Sequence, residues 1–238
     1  LSGHISSNLS IGYSTLNNTA DNTSDFELIS KNILFPAGTT SFQDNVTIYD
    51  DNIVEDNETF FVRLDNSSNP NIFLGPQATV TINNDDNATV TVENLSVTEN
   101  DGVATITLKL SDNVSSPVTV GFSTLDQSAN NGSGNDYLAL SKIITFDPMT
   151  TLVQDNITIN NDNIVENSET FLVQIDNSSN PNVFLGPQAV VTIENEDNAT
   201  VTIGDVLVNE SGGFALITFN LSDHVSSNLS VGYSTLND

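Results

Sequence analysis

The sequence predicts an all-β protein built from tandem antiparallel β-sandwiches, and three observations support this prediction. Apolar residues alternate with polar ones over short runs, which is the pattern of a half-buried strand. No segment carries the helical period of about 3.6 residues over the length of a helix. The same succession of runs returns after about 110 residues, which is a usual length for one domain.

A repeated run of residues defines the organisation of the chain. The run at residues 1–16 returns, with substitutions, at residues 110–125 and again at residues 221–236. Lys31 has its counterpart in Lys142 in the same way. A fixed period of this length is typical of domains arranged in tandem along one chain.

Domain boundaries fall just before Ala88 and Ala199, where the last strand of one repeat gives way to the first strand of the next. Residues 88–198 then form a complete repeat. Residues 1–87 form a partial repeat without its first two strands, and residues 199–238 contain only the first three strands. An open fragment of a sandwich exposes unpaired edges and half a core. We therefore expect either a longer array of repeats or ends completed by neighbouring molecules, and we favour the array.

The complete repeat contains seven short alternating strands, which is the usual number for a small two-sheet sandwich. In the second strand Ile106, Leu108 and Leu110 are predicted to point inwards. Before it, Asn100-Asp101-Gly102 predicts a hairpin turn. In order, the predicted strands lie near residues 88–97 with a break at Asn94, 103–110, 118–122, 142–146, 152–159, 170–175 and 189–193.

The charge balance excludes several classes of function. The chain has 4 Lys and Arg residues against 31 Asp and Glu residues, for a net charge of -27. Nucleic-acid binding needs a basic surface, and an anionic membrane surface would repel this chain. The absence of cysteine excludes disulfides and thiolate metal sites. Since no run of about 18 apolar residues occurs, direct membrane insertion of this segment is not expected.

Strand direction predicts where the acidic residues of the complete repeat gather. If consecutive strands alternate in direction, the ends of the first, third, fifth and seventh strands lie at the same pole of the sandwich. Acidic residues follow each of these four strands, whereas the loops of the opposite pole contain far fewer acids. The carboxylates predicted to converge are Glu99, Asp136, Asp162, Glu166, Glu196 and Asp197.

A calcium site is the hypothesis that best accounts for this acidic pole. Calcium takes about six to eight oxygen ligands in flexible geometry, so about one or two ions would neutralise the cluster. Magnesium fits less well because it retains several waters, and zinc is disfavoured by the lack of cysteine and the presence of only 2 histidines. The alternative is that Asp and Asn supply turn chemistry and remain solvated. The acidic loop occurs twice, at Asp44–Phe60 and Asp155–Phe171, which favours calcium.

Six stretches of the complete repeat form a pattern that goes beyond strand alternation. They are Val97–Gly102, Val120–Thr124, Asp136-Tyr137, Ile143–Phe146, Asn161–Phe171 and Val191–Asp197. Together they resemble the Calx-beta domain, which is known from sodium–calcium exchangers, an integrin subunit and many extracellular adhesion or matrix proteins. The resemblance covers the complete repeat and both partial ones. It implies immunoglobulin-like sandwiches that bind Ca2+ at one pole.

The resemblance also implies a set of ligands in each repeat. In the complete repeat these are the carboxylates that strand direction brings to one pole. Asn161 stands where the first repeat has Asp50, and Asn84 and Asn195 stand where the family often has Asp. Because an amide supplies oxygen without charge, we expect amide ligands with fewer ions or weaker binding. In the two partial repeats the implied ligands are Asp25, Asp50, Asp51, Glu55, Asp85 and Asp86, and Glu210 as the first of the third set.

Almost no linker separates consecutive repeats, so the acidic pole of one repeat abuts the start of the next. We therefore predict a structural segment of a long extracellular fibre, adhesin or matrix protein, in which Ca2+ rigidifies the joints between sandwiches. The expected partners are neighbouring repeats of the same chain and like chains in a filament. The alternatives are a calcium-sensing regulatory module of a larger membrane or signalling protein, and a passive glycan-coated spacer.

Sequons for N-glycosylation recur at matched positions of the repeats, which favours an extracellular or cell-surface location. Asn, Ser and Thr are so abundant that chance supplies part of this signal, and a bacterial surface protein would carry no such glycans. The candidate acceptors are Asn45, Asn66, Asn87, Asn156, Asn177 and Asn198.

The sequence does not favour an enzyme. His4 and His224 occupy equivalent positions, and Asn113 replaces them in the complete repeat, so these histidines are predicted to be loop residues. Paired carboxylates are also the machinery of glycosidases. However, the chain contains no tryptophan and offers little aromatic platform for a sugar. We therefore predict a binding or structural role.

Overall fold

The computed structural model describes residues 3, 5–132 and 136–236. His4 therefore lies outside the described residues. Within the strands, buried side chains alternate with more exposed ones. In the strand Val103–Leu110 every second side chain is buried, and Thr105 and Lys109 between them are exposed. Ile106, Leu108 and Leu110 point inwards as predicted. The chain divides into two compact units, residues 1–88 with 112–116, and residues 89–111 with 117–238.

Unit 1 is organised around one antiparallel sheet of four strands, in the order β2-β1-β3-β4. The sheet covers a small core in which Phe26 and Phe60 are fully buried and stacked, with ring centroids 4.2 Å apart. The strands are β1 Leu9–Asn17, β2 Ser30–Phe35, β3 Glu58–Ser67 and β4 Ala78–Ile82.

Unit 2 contains the complete sandwich. One sheet has the strand order β10-β7-β5-β13 and the other β6-β14-β12-β8-β9. The first predicted strand breaks near Asn94 as expected, and its two halves, β5 and β6, belong to different sheets. The strands are β5 Ala88–Val92, β6 Leu95–Thr98, β7 Val103–Leu110, β8 Val118–Asp126, β9 Ser141–Phe146, β10 Leu152–Thr158, β11 Ile164–Val165, β12 Glu169–Ser178, β13 Val183–Leu185 and β14 Ala189–Glu194.

The all-β sandwich prediction is confirmed, although the pairing of β14 departs from a purely antiparallel pattern. β14 pairs with β6 in parallel, whereas its other neighbour β12 is antiparallel. The turn-rich excursion predicted before the last strand also contains a short strand, β13, at the edge of the other sheet. The expected seven strands are therefore present, together with the short strands β11 and β13.

The hairpin predicted at Asn100-Asp101-Gly102 is wrong. Residues Glu99–Asp101 form a 3-10 turn, and Gly102 follows in the left-handed region with φ 67°. The strands on either side do not pair, because β6 lies in one sheet and β7 in the other. The sequence does form a turn here, because glycine tolerates positive φ. This turn leads the chain from one sheet to the other instead of joining two paired strands.

The part of unit 2 that follows the sandwich has few strands. Residues 228–236, which are the counterpart of β1 and β8 in sequence, form no strand. Glu210–Gly212 form a 3-10 turn equivalent to the one at Glu99–Asp101. Among the described residues no helix has the length and apolar character needed to span a bilayer. The strands here are β15 Val201–Ile203, β16 Phe219–Leu221 and β17 His224–Val225.

An aromatic stack anchors the core of the complete sandwich. Tyr137 and Phe171 are both 0% exposed, and their ring centroids lie 4.1 Å apart at an interplanar angle of 11°. The Tyr137 hydroxyl donates a hydrogen bond to Asp126 Oδ1 at 2.5 Å, so its polar atom is satisfied despite burial. The stack corresponds in position to Phe26 and Phe60 in unit 1.

Replacing Phe171 with Ala is expected to destabilise unit 2 by about 3–5 kcal/mol, because it leaves a cavity beneath Tyr137. The matched control is Phe184→Ala, which changes the same side chain where it is 54% exposed and is expected to cost about 0.5 kcal/mol or less. Urea unfolding measures both free energies. Equal losses in the two variants would contradict the stacked core.

Candidate metal centre

The parallel pairing of β6 with β14 brings two acidic segments side by side. The register places Thr98 opposite Glu194, so the residues that follow each strand leave the sheet together. Thr98 begins the 3-10 turn, and its N–H donates to Asp101 Oδ2 at 2.7 Å. The Asn100 N–H donates to Glu196 Oε1 at 3.1 Å, which ties the turn to the end of β14. Glu99 is thereby fixed beside the carboxylates of the last strand.

The first cluster of carboxylates consists of Glu99, Asp162 and Asp197. One oxygen of each lies within 4.8 Å of the others. Glu99 is only 7% exposed, which is unusual for an acidic residue without a basic partner. Asp162 Oδ1 accepts the Ile164 N–H at 2.7 Å, in a turn that fixes the start of the acidic loop.

Two buried carboxylate oxygens, one from a member of this cluster and one from its neighbour in sequence, lack hydrogen-bond partners among the described residues. They are Glu196 Oε2 and Asp197 Oδ2. A buried, unpaired oxygen of a charged group is costly, and these two belong to residues that the sequence predicts to bind a cation. The donor set, carboxylate oxygens only, is the one that a hard cation prefers. The residues therefore fit calcium.

The second cluster consists of Asp136, Glu166 and Glu169, again with one oxygen of each within 4.8 Å of the others. Asp136 lies next to the stacked Tyr137 in sequence. Asp136 Oδ2 accepts the Asn130 N–H at 2.6 Å, and the Asp136 carbonyl accepts the Asn160 N–H at 2.9 Å. The buried aromatic stack thus holds one wall of this cluster in place.

The amide side chains expected to act as ligands also bond to the main chain. Asn195 Oδ1 accepts the Glu166 N–H at 2.9 Å, and Asn195 Nδ2 donates to the Asp197 carbonyl at 3.1 Å. Asn84 makes the equivalent bonds in unit 1, to the Glu55 N–H and the Asp86 carbonyl, both at 2.9 Å. These amides connect the acidic loop to the end of the last strand, and their role as ligands stays a prediction.

Unit 1 gathers its acidic residues in the same way. Asp25, Glu55 and Glu58 form a cluster with one oxygen of each within 4.8 Å of the others. Phe26, which follows Asp25, is stacked on Phe60, as Tyr137 is stacked on Phe171 in unit 2. A cavity of about 50 Å³ opens beside this cluster, and all six predicted residues of the repeat line it, namely Asp25, Asp50, Asp51, Glu55, Asp85 and Asp86.

Sequence reasoning missed Glu58 and Glu169. Both residues lie in the acidic loops Asp44–Phe60 and Asp155–Phe171 but are not among the predicted ligands, and the structure places them at the start of β3 and β12. The signal that could have found them is their position three residues after Glu55 and Glu166 in both copies of the acidic loop. In contrast, Glu210 is exposed at the start of its 3-10 turn, and it joins none of the clusters found among the described residues.

Burial and mutual repulsion raise the pKa of several of these carboxyls. Burial raises the pKa of Glu99 to about 7, and the charges of Glu196, Asp162 and Glu166 add to the effect. Burial likewise raises the pKa of Glu169 to about 7, with a hydrogen bond to Asp136 as the next cause.

The same effect operates in unit 1. Burial raises the pKa of Glu58 to about 7, and a hydrogen bond to Asp25 adds to it. Burial also raises the pKa of Glu55 above its usual value, followed by the charges of Asp25, Asp51 and Asp86. The hydrogen bonds therefore join two carboxyls in each unit, Glu58 with Asp25 and Glu169 with Asp136.

No basic side chain relieves this repulsion among the described residues of the clusters. Lys31 pairs with Asp44, Arg63 with Asp65, and Lys142 with Asp155, at 2.6–2.9 Å. Two oxygens bound to opposite sides of one calcium ion are about 5 Å apart, since each calcium–oxygen distance is about 2.3–2.6 Å. The spacing within each cluster is compatible with shared coordination of one ion.

Comparisons with known proteins give consistent matches. A family model described as Calx-beta domain matches residues 1–86 and 83–207. The sodium/calcium exchanger 3 of Mus musculus is 26% identical over 228 residues, which is 82% of this chain and 24% of the exchanger. The chain thus spans about a quarter of the length of this relative.

Solved structures with similar chains include several named for Calx. The apo-form Calx CBD1 domain is 22% identical with a TM-score of 0.44, over 47% of this chain and 100% of that one. The calcium binding domain CBD12 of CALX1.1 is 19% identical with a TM-score of 0.37, over 82% of this chain and 90% of that one.

The raised pKa values predict that the metal-free protein loses stability as the pH rises. A carboxyl whose folded-state pKa is about 7, above its usual 4.5, contributes stability that is complete below pH 4.5 and lost as the pH passes through 7. With a chelator present, the Tm is expected to fall by at least about 4 °C between pH 5 and pH 8. Thermal unfolding followed by circular dichroism measures the change.

Glu99→Gln is expected to flatten this pH dependence, because the neutral side chain keeps the shape and removes the buried charge. The matched control is Glu93→Gln, which makes the same change at an exposed position between β5 and β6 and should leave the slope unaltered. A slope that is identical in the parent protein and in Glu99→Gln would contradict the assignment.

Proposed function

The chain belongs to the Calx-beta domain family, and we propose that it is a tandem calcium-binding module rather than an enzyme. The observation that carries this proposal is the pair of buried carboxylate oxygens, Glu196 Oε2 and Asp197 Oδ2, that lack hydrogen-bond partners beside the cluster of Glu99, Asp162 and Asp197. A divalent cation would give these oxygens a partner and would neutralise charges that otherwise repel one another.

The residues that would hold calcium come from the acidic clusters of the two units. In unit 2 the cation ligands would come from two adjoining clusters, Glu99, Asp162 and Asp197 on one side and Asp136, Glu166 and Glu169 on the other. In unit 1 they would come from Asp25, Glu55 and Glu58 and the other acids of the cavity. Binding would compete with protonation of the glutamates whose pKa is raised, so affinity should increase with pH.

The first setting that we propose is a regulatory module of a larger membrane or signalling protein. It is supported by the match of 82% of this chain to a protein named as a sodium/calcium exchanger. In this setting calcium would order the acidic loops, and the ordered loops would change the interaction of the module with the remainder of its protein.

The second setting is a structural segment of an extracellular fibre, adhesin or matrix protein, in which calcium stiffens the joints between repeats. It is supported by the close similarity of consecutive repeats and by matched sequons. The partners would be neighbouring repeats and like chains in a filament. All six candidate acceptors, Asn45, Asn66, Asn87, Asn156, Asn177 and Asn198, are exposed.

Calcium is expected to stabilise the protein against heat. At a free concentration of 100 times the Kd, binding contributes about 2.7 kcal/mol per site, which corresponds to a rise in Tm of roughly 5–10 °C. The double variant Glu166→Gln, Asp197→Asn should lose most of this rise in unit 2. Differential scanning calorimetry with calcium and with chelator measures it.

The control is the double variant Glu93→Gln, Asp147→Asn, which makes the same change in charge at two exposed positions outside the clusters. This control should keep the full calcium response, and magnesium should give a smaller rise than calcium because it retains its waters. An unchanged Tm at millimolar calcium would overturn the calcium proposal and leave the passive spacer.

The two settings differ in the side of the membrane on which the module lies. Treatment of intact source cells with a membrane-impermeant amine reagent should label the protein in the extracellular setting and leave it unlabelled in a regulatory setting inside the cell. Peptide-N-glycosidase should lower the mass of the protein where the sequons carry glycans. Labelling without a mass change would support a surface protein whose sequons are not used.

A further inference from the structure

The acidic loop of unit 1 carries a docked segment that comes from later in the sequence. Residues 112–116, which follow β7, belong to unit 1. The Val54 N–H donates to the Asn113 carbonyl at 2.9 Å, and the Ser115 N–H donates to the Val54 carbonyl at 3.1 Å. Val54 and Val114 form a parallel bridge and are 1% and 0% exposed. Backbone pairing and a buried pair of valines hold the segment.

The same contact recurs within unit 2. β17, His224–Val225, pairs in parallel with β11, Ile164–Val165, and the register places Val165 opposite Val225. The Ser226 N–H donates to the Val165 carbonyl at 3.1 Å. The two contacts involve matched positions of successive repeats, so the structure contains the interaction twice.

The chemistry of the contact explains which residues it requires. The docked segments are Asn113-Val114-Ser115-Ser116 and His224-Val225-Ser226-Ser227, and only the first position differs. Main-chain pairing of an added strand provides affinity without reading every side chain. The valine fills an apolar position. The first residue is needed only for its main-chain carbonyl, so Asn and His are equally suitable there.

Docking also reaches the carboxylates of the candidate metal centre. Glu55 and Glu166 directly follow the paired valines Val54 and Val165. The Ser226 side chain also hydrogen-bonds to Glu166. The segment therefore contacts the loop that would coordinate the cation.

We propose that the edge of the acidic loop, Ile53–Val54 and its counterpart Ile164–Val165, is a docking surface for the Val-Ser-Ser segment of the following repeat, and that docking sets the calcium affinity of the acidic loop. The second part rests on the proposed function. Ser115 and Ser226 are positioning residues, since they hold the main chain next to Glu55 and Glu166. The affinity of one repeat would then depend on a segment from the next.

The test uses the full chain and four variants, followed by nuclear magnetic resonance of the backbone amides. Ser115→Pro and Ser226→Pro remove the N–H that donates to Val54 or Val165, whereas Ser115→Ala and Ser226→Ala keep it. Hydrogen exchange at the Val54 amide is measured without calcium. Calcium titrations at the Glu55 and Glu166 amides then report the two acidic loops separately in one sample.

In Ser115→Pro, the Val54 amide should exchange at least about tenfold faster, because its acceptor Asn113 leaves. The calcium affinity reported at Glu55 should fall at least about fivefold, while that at Glu166 should stay unchanged. Ser226→Pro should lower the calcium affinity reported at Glu166 and leave the affinity at Glu55 and the exchange at Val54 unchanged. Ser115→Ala should preserve both the exchange rate and the affinity at Glu55.

Each contrary outcome identifies the part that fails. Unchanged exchange at Val54 in Ser115→Pro would overturn docking. Faster exchange with unchanged calcium affinity would overturn the coupling and leave docking in place. If neither Glu55 nor Glu166 responds to calcium in the parent chain, the proposed function and the coupling both fail, and the exchange data alone decide docking. A loss of affinity at both amides in Ser115→Pro would indicate general unfolding and overturn the specific coupling.

Discussion

A chain that alternates in direction through a sandwich must return every second strand end to the same pole, and the acidic pole of this protein follows from that constraint. The parallel register of β6 and β14 adds to it, because two strand ends leave the sheet side by side. Glu99 and Glu196 are therefore neighbours although they are far apart in sequence. The carboxylates converge because the sheets place them together, and nothing in the local sequence of any one loop requires it.

The converging carboxylates repel one another, and no basic side chain among the described residues of the clusters neutralises them. The three ion pairs of the described residues lie outside the acidic clusters. Rigid elements nevertheless hold the carboxylates close together, through the stacks of Tyr137 on Phe171 and Phe26 on Phe60. The cost appears as carboxyls with raised pKa values and as buried oxygens without partners. A site held in this way is preorganised for a hard cation.

Repetition within one chain provides a check on each structural assignment. Asn84 and Asn195 make the same two bonds in units 1 and 2, and Glu58 and Glu169 join corresponding clusters. The segments docked on Val54 and Val165 also correspond. These features are therefore properties of the repeat itself. Together they make the acidic loop the place where the core, the candidate cation site and the following repeat meet.

The sequence by itself determined the sandwich class, the repeat, the inward faces of the strands and the convergence of the predicted acids, because these follow from apolar periodicity and strand direction. Only the tertiary structure decided that Gly102 ends a turn between sheets, that Glu169 faces the cluster from the start of β12, and that Asn195 bonds to the main chain. Each depends on which distant strand lies alongside. A local pattern fixes which way a side chain can point, whereas its partner is set by packing between segments far apart in sequence.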